Sequence, residues 1–287
     1  MKVKENEMRR VLVTGASGFV GRQVIYHLAK RDVLLSVIVR EGQQSLFDDN
    51  PAVQSVYVTQ DLFSENAEWW AVALDGVDTL IHCAWYAEPG KYLQSSKNID
   101  CLVGTLFIAK CVAQSDVKRF VGIGTCFEYD LSQGVLSVDT PLKPLTPYAA
   151  SKAAVYIALQ QWLPAQSVEF IWCRLFYLYG EGEDKRRLVP YIHANLALGE
   201  TVELTSGNQI RDFMDVREAG RLIANIAIKG EQSPINICSG IPITVKQIAE
   251  QIADQYGRRD LLQFDARPNN LTDPPCVVGI NKGFDID

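Results

Sequence analysis

The chain has little histidine, no paired cysteine motif, no long apolar run and no surplus of positive charge. Only three histidines occur in 287 residues, His27, His82 and His193. Their spacing suits no metal site, so a zinc enzyme is excluded and no metal is expected. The seven cysteines are an odd number, none stands in a CxxC pair, and all are scattered through apolar segments. That pattern fits buried reduced thiols rather than a disulfide framework. No window approaches the ~18 consecutive apolar residues of a membrane span. The charged start, Met1-Lys2-Val3-Lys4-Glu5-Asn6-Glu7, lacks the apolar core of a signal peptide. With 28 basic against 34 acidic residues the net charge is −6, and there is no long Lys/Arg run. Phosphate neutralisation dominates sequence-independent nucleic-acid binding, so that class is excluded as well. The expectation is a cytoplasmic protein with neither nucleic acid nor membrane as a partner.

What is present is ordinary globular composition, 47% hydrophobic and 22% charged, with enough length for a sizeable core. The first half alternates short apolar runs with longer amphipathic ones. Arg10–Thr14, Leu34–Val39, Ser55–Val58, Thr79–His82, Phe120–Ile123 and Val168–Cys173 read as strands, and Phe19–Lys30 and Tyr148–Trp162 as helices. Ile99, Leu102, Val103, Leu106 and Phe107 recur at helical spacing and predict one face of another helix. Repeated strand–helix–strand units imply a parallel sheet covered on both sides. Beyond about residue 175 turn-rich pieces such as Gly180-Glu181-Gly182 and Ser239-Gly240 interrupt the pattern. The predicted fold is therefore α/β: a Rossmann-type, doubly wound parallel sheet over residues 1–174. A smaller, interrupted C-terminal substrate lobe follows over 175–287, with chain segments able to return to the sheet.

Gly15-Ala16-Ser17-Gly18-Phe19-Val20-Gly21 is a GxxGxxG loop between the first strand and the first helix. Such a loop needs glycine for its tight turn, for close approach of a pyrophosphate, and for packing of helix on sheet. The helix N-terminus offers the phosphate free N–H groups. A dinucleotide is expected on Gly15, Ser17, Gly18, Phe19, Val20 and Gly21. An NAD site usually ends its second strand with an acid that takes the adenosine ribose, whereas this strand ends at Arg40, with Glu41 after it. A guanidinium there suits a 2′-phosphate and favours NADP, with NAD possible.

Tyr148 and Lys152 stand at i and i+4 on one helix, where a neighbouring ammonium would lower the phenol's pKa towards working range. Thr125, just past the Phe120–Ile123 strand, could share a substrate carbonyl with that phenol.

These features, with Asp61-Leu62, His82-Cys83-Ala84, Asn98, Gly104-Thr105, Arg174, Tyr179-Gly180 and Arg211-Asp212-Phe213-Met214-Asp215-Val216, resemble the extended short-chain dehydrogenase/reductase family, nucleotide-sugar branch. The resemblance implies roles. Tyr148 would be the general acid or base, Lys152 would hold the nicotinamide ribose, and Thr125 would bind the reacting oxygen. Asp61 and Leu62 would meet the adenine, Ala84 would line the pyrophosphate and ribose, and Arg211 and Arg267 would hold a nucleotide-sugar diphosphate. It also implies a homodimer through the helices near 97–116 and 147–163.

The sequence departs from the family's dehydratases, which carry an Asp-Glu pair directly after the threonine. Here Cys126-Phe127 follow Thr125 and Glu128 comes one position late, so elimination of water is not expected. Trp85, Tyr86, Tyr92, Phe127, Phe176 and Tyr177 are aromatic positions near the expected substrate mouth, and as a group they suit an apolar-faced deoxysugar. The family's larger members run beyond the length of this chain, which fits its smaller reductases. The expected function is NAD(P)H-dependent reduction of the C4 ketone of a nucleotide-activated 4-keto-6-deoxy sugar. Alternatives are a nucleotide-sugar 4-epimerase with tightly held NAD and a non-catalytic dinucleotide-sensing module on the same fold.

Overall fold

The structure, a computed structural model, describes residues 8–230, 233–270 and 273–281. In chain order the elements are β1 (Arg9–Thr14), α1 (Phe19–Leu28), β2 (Val33–Arg40), β3 (Val53–Thr59), α2 (Ala67–Ala73) and β4 (Thr79–His82). Next come α3 (Lys97–Ala113), β5 (Arg119–Thr125), β6 (Val135–Leu136), α4 (Pro147–Ala165), β7 (Glu169–Leu175), β8 (Tyr177–Tyr179) and α5 (Leu188–Leu198). The chain continues with β9 (Val202–Glu203), β10 (Ile210–Asp215), α6 (Val216–Lys229), β11 (Ile235–Ile237), β12 (Pro242–Thr244), α7 (Val245–Tyr256), β13 (Leu262–Gln263) and β14 (Cys276–Gly279).

Seven strands form one sheet in the order β3-β2-β1-β4-β5-β7-β11, parallel throughout. Strands such as Val11-Leu12-Val13 are buried on both faces, because helices cover each side. On one side α1 and α6 pack Val24, Ile25 and Leu28 with Leu222, Ile223 and Ile226. On the other, Trp70 of α2, Ile108 and Val112 of α3, and Leu159 and Leu163 of α4 close a second core. The chain runs outward from β1 through β2 to β3, then returns to lay β4 on the opposite side of β1. That reversal opens a crevice beyond the C-terminal ends of β1 and β4.

The expected boundary at residue 174 falls inside β7, and both sheets draw on both sides of it. Helix α6 and strand β11 come from the second half and join the large sheet. In return, β6 pairs with β14 in the smaller sheet, ordered β12-β10-β14-β6 with β8 beside β10. Helices α5 and α7 bury Ile192, Leu196, Ile248 and Ile252 in a third core.

Helix α3 forms where expected and buries a mixed face, with Ile108 and Val112 in the second core and small or polar residues nearer its start. Ile99 is 54% and Val103 62% exposed, while Asn98, Cys101, Gly104 and Thr105 are buried. The small and polar side has partners waiting. A Cβ on Gly104 would lie 2.6 Å from Phe63, so glycine lets the helix close on the turn after β3. Thr105 and Asn98 hydrogen-bond His82 and Trp85.

Candidate active site

Two ends of the crevice can be distinguished. At the first, β1 breaks into the glycine loop. Gly15 sits at φ +65, where a Cβ would also lie 2.8 Å from the backbone nitrogen of Ala84. A Cβ on Gly21 would strike the Gly15 carbonyl oxygen, so glycine is what lets α1 start against the loop. Gly18 caps α1 without a side chain, and the first turn holds no acid. The backbone N–H groups at Phe19 and Val20 thus begin a helix with no side-chain oxygen upon them, a cradle that fits a pyrophosphate. Arg22 was overlooked in the sequence although it directly follows the loop. Its Nε donates to the Ser17 carbonyl at 2.7 Å and braces the turn.

The loop is held from β4. The Ala84 amide donates to Thr14 Oγ1 at 3.3 Å, and His82 bridges Thr14 Oγ1 (2.9 Å) and Thr105 Oγ1 (3.1 Å). Burial, with help from the Lys152 charge, pushes the His82 pKa down to about 3, so its imidazole is neutral and structural.

Arg40 ends β2 exposed, with no hydrogen-bond or ion-pair partner for its guanidinium among the described residues. Glu41 accepts instead from Gln60 at 3.3 Å. Asp61 spends its oxygens on its own turn, taking the Phe63 amide at 3.1 Å and the Ser64 hydroxyl at 2.7 Å, and Leu62 is buried beside it. An adenine contact from Asp61 would have to be shared with that cap.

The second end lies where β5 stops. Thr146 accepts from the Ala149 amide at 3.2 Å and Pro147 starts the helix, so α4 opens directly before Tyr148. One turn on, Lys152 is 3% exposed and its ammonium donates to the Ile123 carbonyl at 2.6 Å. The same ammonium lies 3.8 Å from the ring centre of Trp85 and 5.8 Å from that of Trp172. Tyr148 meets Tyr92 edge-on at 4.8 Å and Trp85 at 6.4 Å. Thr125, Tyr148 and Lys152 therefore come together beside the Ala84 segment.

The electrostatics differ from expectation. Burial pushes the Tyr148 pKa above that of an ordinary tyrosine and Tyr92 adds to the rise, while the Thr125 hydroxyl opposes it. Lys152 does not pull it down, because its ammonium is turned to Ile123 and packed on Trp85. Desolvation likewise lowers Lys152 to about 8, against an opposing pull from Glu128. The phenol is thus held as an acid with its proton in place.

The aromatic positions divide. Trp85 donates Nε1–H to Asn98 at 2.9 Å and faces Lys152; Phe127 meets Tyr177 at 6.0 Å; Phe176 is buried below them. Tyr86 joins none of these: its hydroxyl donates to Glu88 at 2.9 Å and Lys97 lies 4.7 Å over its ring. Arg211, 3% exposed on β10, pairs with Asp273 at 2.7 Å and stacks 5.2 Å from Tyr177, within the aromatic group. Arg267 sits in the small lobe, half-exposed, donating to Tyr191 Oη at 2.9 Å and 3.6 Å from Glu203. The structure does not bring the two arginines into contact.

Glu128 was read from the sequence as a carboxylate misplaced for elimination. It is fully buried and accepts the Thr125 amide at 2.8 Å, and Thr125 Oγ1 in turn accepts the Phe127 amide at 3.3 Å. The signal for this was the spacing Thr125-x-x-Glu128, a capping box. All seven cysteines are free, and five of them are buried. Burial pushes Cys83 and Cys238 up to about 12, so they stay protonated. No cluster of three potential metal ligands occurs among the described residues, and no helix there is long and apolar enough to cross a membrane.

Over residues 11–238 the chain matches the NAD dependent epimerase/dehydratase family, and it belongs to that family. It is 22% identical over 271 residues to the dTDP-6-deoxy-L-talose 4-dehydrogenase (NAD(+)) of Aggregatibacter actinomycetemcomitans, covering 94% of this chain and 98% of the relative. Its fold is similar to dTDP-glucose 4,6-dehydratase of Bacillus anthracis in complex with NAD: TM-score 0.80, 19% identity, 95% of this chain and 88% of that one. It is equally similar to UDP-glucose 4-epimerase of Thermotoga maritima with UDP-glucose: TM-score 0.80, 19% identity, 95% and 90% covered. The family match agrees with the motifs read from the sequence. The chain is an oxidoreductase of the extended short-chain dehydrogenase/reductase type.

Proposed function

We propose that the protein reduces the C4 ketone of a nucleotide-activated 4-keto-6-deoxy sugar. The observation that carries this is the half-buried Tyr148, its pKa raised by desolvation, beside Thr125, with Cys126 and Phe127 where an eliminating enzyme would need carboxylates. A bound reduced nicotinamide would supply the hydride. Thr125 donates a hydrogen bond to the ketone oxygen, and Tyr148 gives that oxygen its proton as charge develops there. Lys152 would hold the ribose hydroxyls of a bound nicotinamide dinucleotide, and Trp85, Tyr92 and Phe127 would offer an apolar wall to the deoxygenated C6. In this reading Arg211 takes the sugar nucleotide's diphosphate, with Arg267 as a second, outer contact. A relative whose name gives it a 4-dehydrogenase activity on a 6-deoxy sugar nucleotide supports the same carbon as the reacting centre, read in the opposite direction.

In this reading residues 1–174 carry the cofactor and the lobe of 175–287 covers the sugar. Arg40 favours NADPH, although the same relative is named for NAD(+). Ile99 and Val103 of α3 and Ile157 of α4 are apolar and exposed, and we read them as the surface of a homodimer. Val103→Glu should then give a monomer in sedimentation, and an unchanged dimer would sink that assignment. The test of function is to mix the protein, a nucleotide-linked 4-keto-6-deoxyhexose and excess NADPH or NADH, following nicotinamide absorbance. Stoichiometric loss is expected. Conversion of a non-keto sugar nucleotide to its 4-epimer, without net loss and with cofactor that co-purifies, would favour the epimerase instead.

A further inference from the structure

Around Thr125 lies a charged assembly that hydride and proton transfer do not themselves require. Glu128 is 0% and Arg174 1% exposed, yet they form an ion pair, Arg174 Nε to Glu128 Oε2 at 2.7 Å. Trp172 donates its indole N–H to the same carboxylate at 3.0 and 3.1 Å. Arg174 Nη1 donates to Tyr129 Oη at 2.9 Å, which donates to Asn236 at 2.7 Å, and the guanidinium is flanked by the rings of Tyr129 and Tyr156. The neighbouring strand is cut away to admit this group. Gly122 and Gly124 of β5 pair with Trp172 and Arg174 of β7, and a Cβ at either glycine would strike the indole.

A buried ion pair is a poor device for stability, since matched apolar residues commonly serve as well or better. Its placement suggests another use. One oxygen of Glu128 fixes the amide of Thr125 at the strand end, and the hydroxyl of Thr125 is tied forward to the Phe127 amide, so the residue is located from both sides. The indole that binds Glu128 by its edge also presents its ring to the Lys152 ammonium. We propose that Glu128, seated on Arg174, is a positioning residue: it orients Thr125 through the strand-end amide and supplies the buried carboxylate that faces Lys152 beyond Trp172. The inference rests on the reading of Thr125 and Lys152 as part of the reaction centre.

The other titratable groups around Lys152 carry no charge to substitute for it. His82 and Cys83 of β4 are neutral by burial, Cys101 of α3 is held as a thiol, and Tyr148 on the same helix keeps its proton. Arg174 on β7 is cationic and neutralised by Glu128 itself. The Glu128 carboxylate is the leading pull against the desolvation that lowers Lys152.

Three variants test this: Glu128→Gln, isosteric without the charge; Glu128→Asp, charged but shorter; and Glu128→Gln with Arg174→Met, which removes both charges. Two readouts are needed: turnover, and the pH dependence of reduced-nicotinamide binding followed by tryptophan fluorescence, which needs no sugar. In Glu128→Gln the alkaline midpoint of binding should fall by about half a unit or more. Turnover should fall by up to about 10²-fold, the effect of a misplaced reacting group. Glu128→Asp should keep the midpoint and still lose turnover. The double variant should regain thermal stability without regaining either. A wild-type binding curve with no alkaline midpoint overturns the proposal. So does Glu128→Gln with unmoved midpoint and unchanged turnover, or a double variant in which both recover with stability. Wild-type protein that binds cofactor with the expected midpoint but reduces no 4-keto sugar overturns the proposed function and not the role of Glu128.

Discussion

The two ends of the crevice, the one proposed for adenosine and the one proposed for the reaction, are built on opposite principles. At the first, Arg40 projects exposed from β2, Asp61 lies at the surface, and Gly18 leaves the start of α1 uncapped. At the second, Lys152, Glu128 and Arg174 are each at most 3% exposed, and each has a hydrogen-bond partner. A charge in water acts weakly and is screened, whereas one in a low-dielectric site acts strongly and needs a partner already in place. Recognition of a tail that comes and goes suits the open arrangement. Stabilising a charge that appears only in the transition state suits the closed one, because its dipoles need no reorganisation.

The largest expected effect lies at the closed end. Tyr148→Phe keeps the ring against Tyr92 and Trp85 and removes only the proton donor. Turnover should fall by about 10²–10⁴-fold while cofactor affinity, measured by fluorescence, stays near wild type. Near-wild-type turnover would remove Tyr148 from the mechanism. Next in size, Arg174→Met alone leaves the Glu128 carboxylate buried without its partner. Breaking a buried pair in this way costs about 3–5 kcal/mol, to be read from denaturant melts. A loss under ~1 kcal/mol would mean that the carboxylate finds solvent, and that the two ends differ less than their burial implies.

The contrast also explains what could be read from the sequence. The glycine loop, the strand before it and the helix after it were legible because each is a local pattern whose physics is complete within some 20 residues. Tyr148 and Lys152 were legible as a pair through helical spacing together with Thr125 just past an apolar strand. Glu128 was visible only as half a device. The capping box Thr125-x-x-Glu128 is local, but the partner that lets a carboxylate be buried, Arg174, lies 46 residues away, and the room for both depends on glycines of a neighbouring strand. Which side of helix α3 turns inward near its start was not legible for a related reason. Periodicity ranks faces by apolarity, and here the inward face was chosen by Phe63, His82 and Trp85 meeting Gly104, Thr105 and Asn98.

A smaller effect, through pH, follows from the same burial. His82 is about 3 in the folded chain against an ordinary value of 6.5. Below 6.5 the unfolded chain takes up a proton that the folded chain refuses, so stability should fall as pH drops from 6.5 towards 3, by on the order of a few kcal/mol in total. His82→Gln should flatten that part of the Tm-against-pH curve, whatever it does to the absolute Tm. An equal slope in the variant would assign the acid sensitivity to other groups.

The smallest effect is expected at the open end, and it tests the comparison most directly. Arg40 has no side-chain partner among the described residues, so Arg40→Ala leaves nothing buried and unsatisfied there, and Tm should stay within about a degree, as for surface positions generally. What changes is the ligand. If the guanidinium forks onto a 2′-phosphate, NADPH binding should weaken by about 1.5–3 kcal/mol while NADH binding stays nearly constant, because only one of the two carries the extra charge. The loss should shrink as salt is raised, since an exposed pair is screened over a Debye length of ~10 Å at 0.1 M. Equal losses for both cofactors would mean that Arg40 touches something they share. No loss for either would place the cofactor preference elsewhere than Arg40. A salt-independent loss would be the most informative failure, because it would show that Arg40 becomes buried when the cofactor is bound, and that the open end closes too.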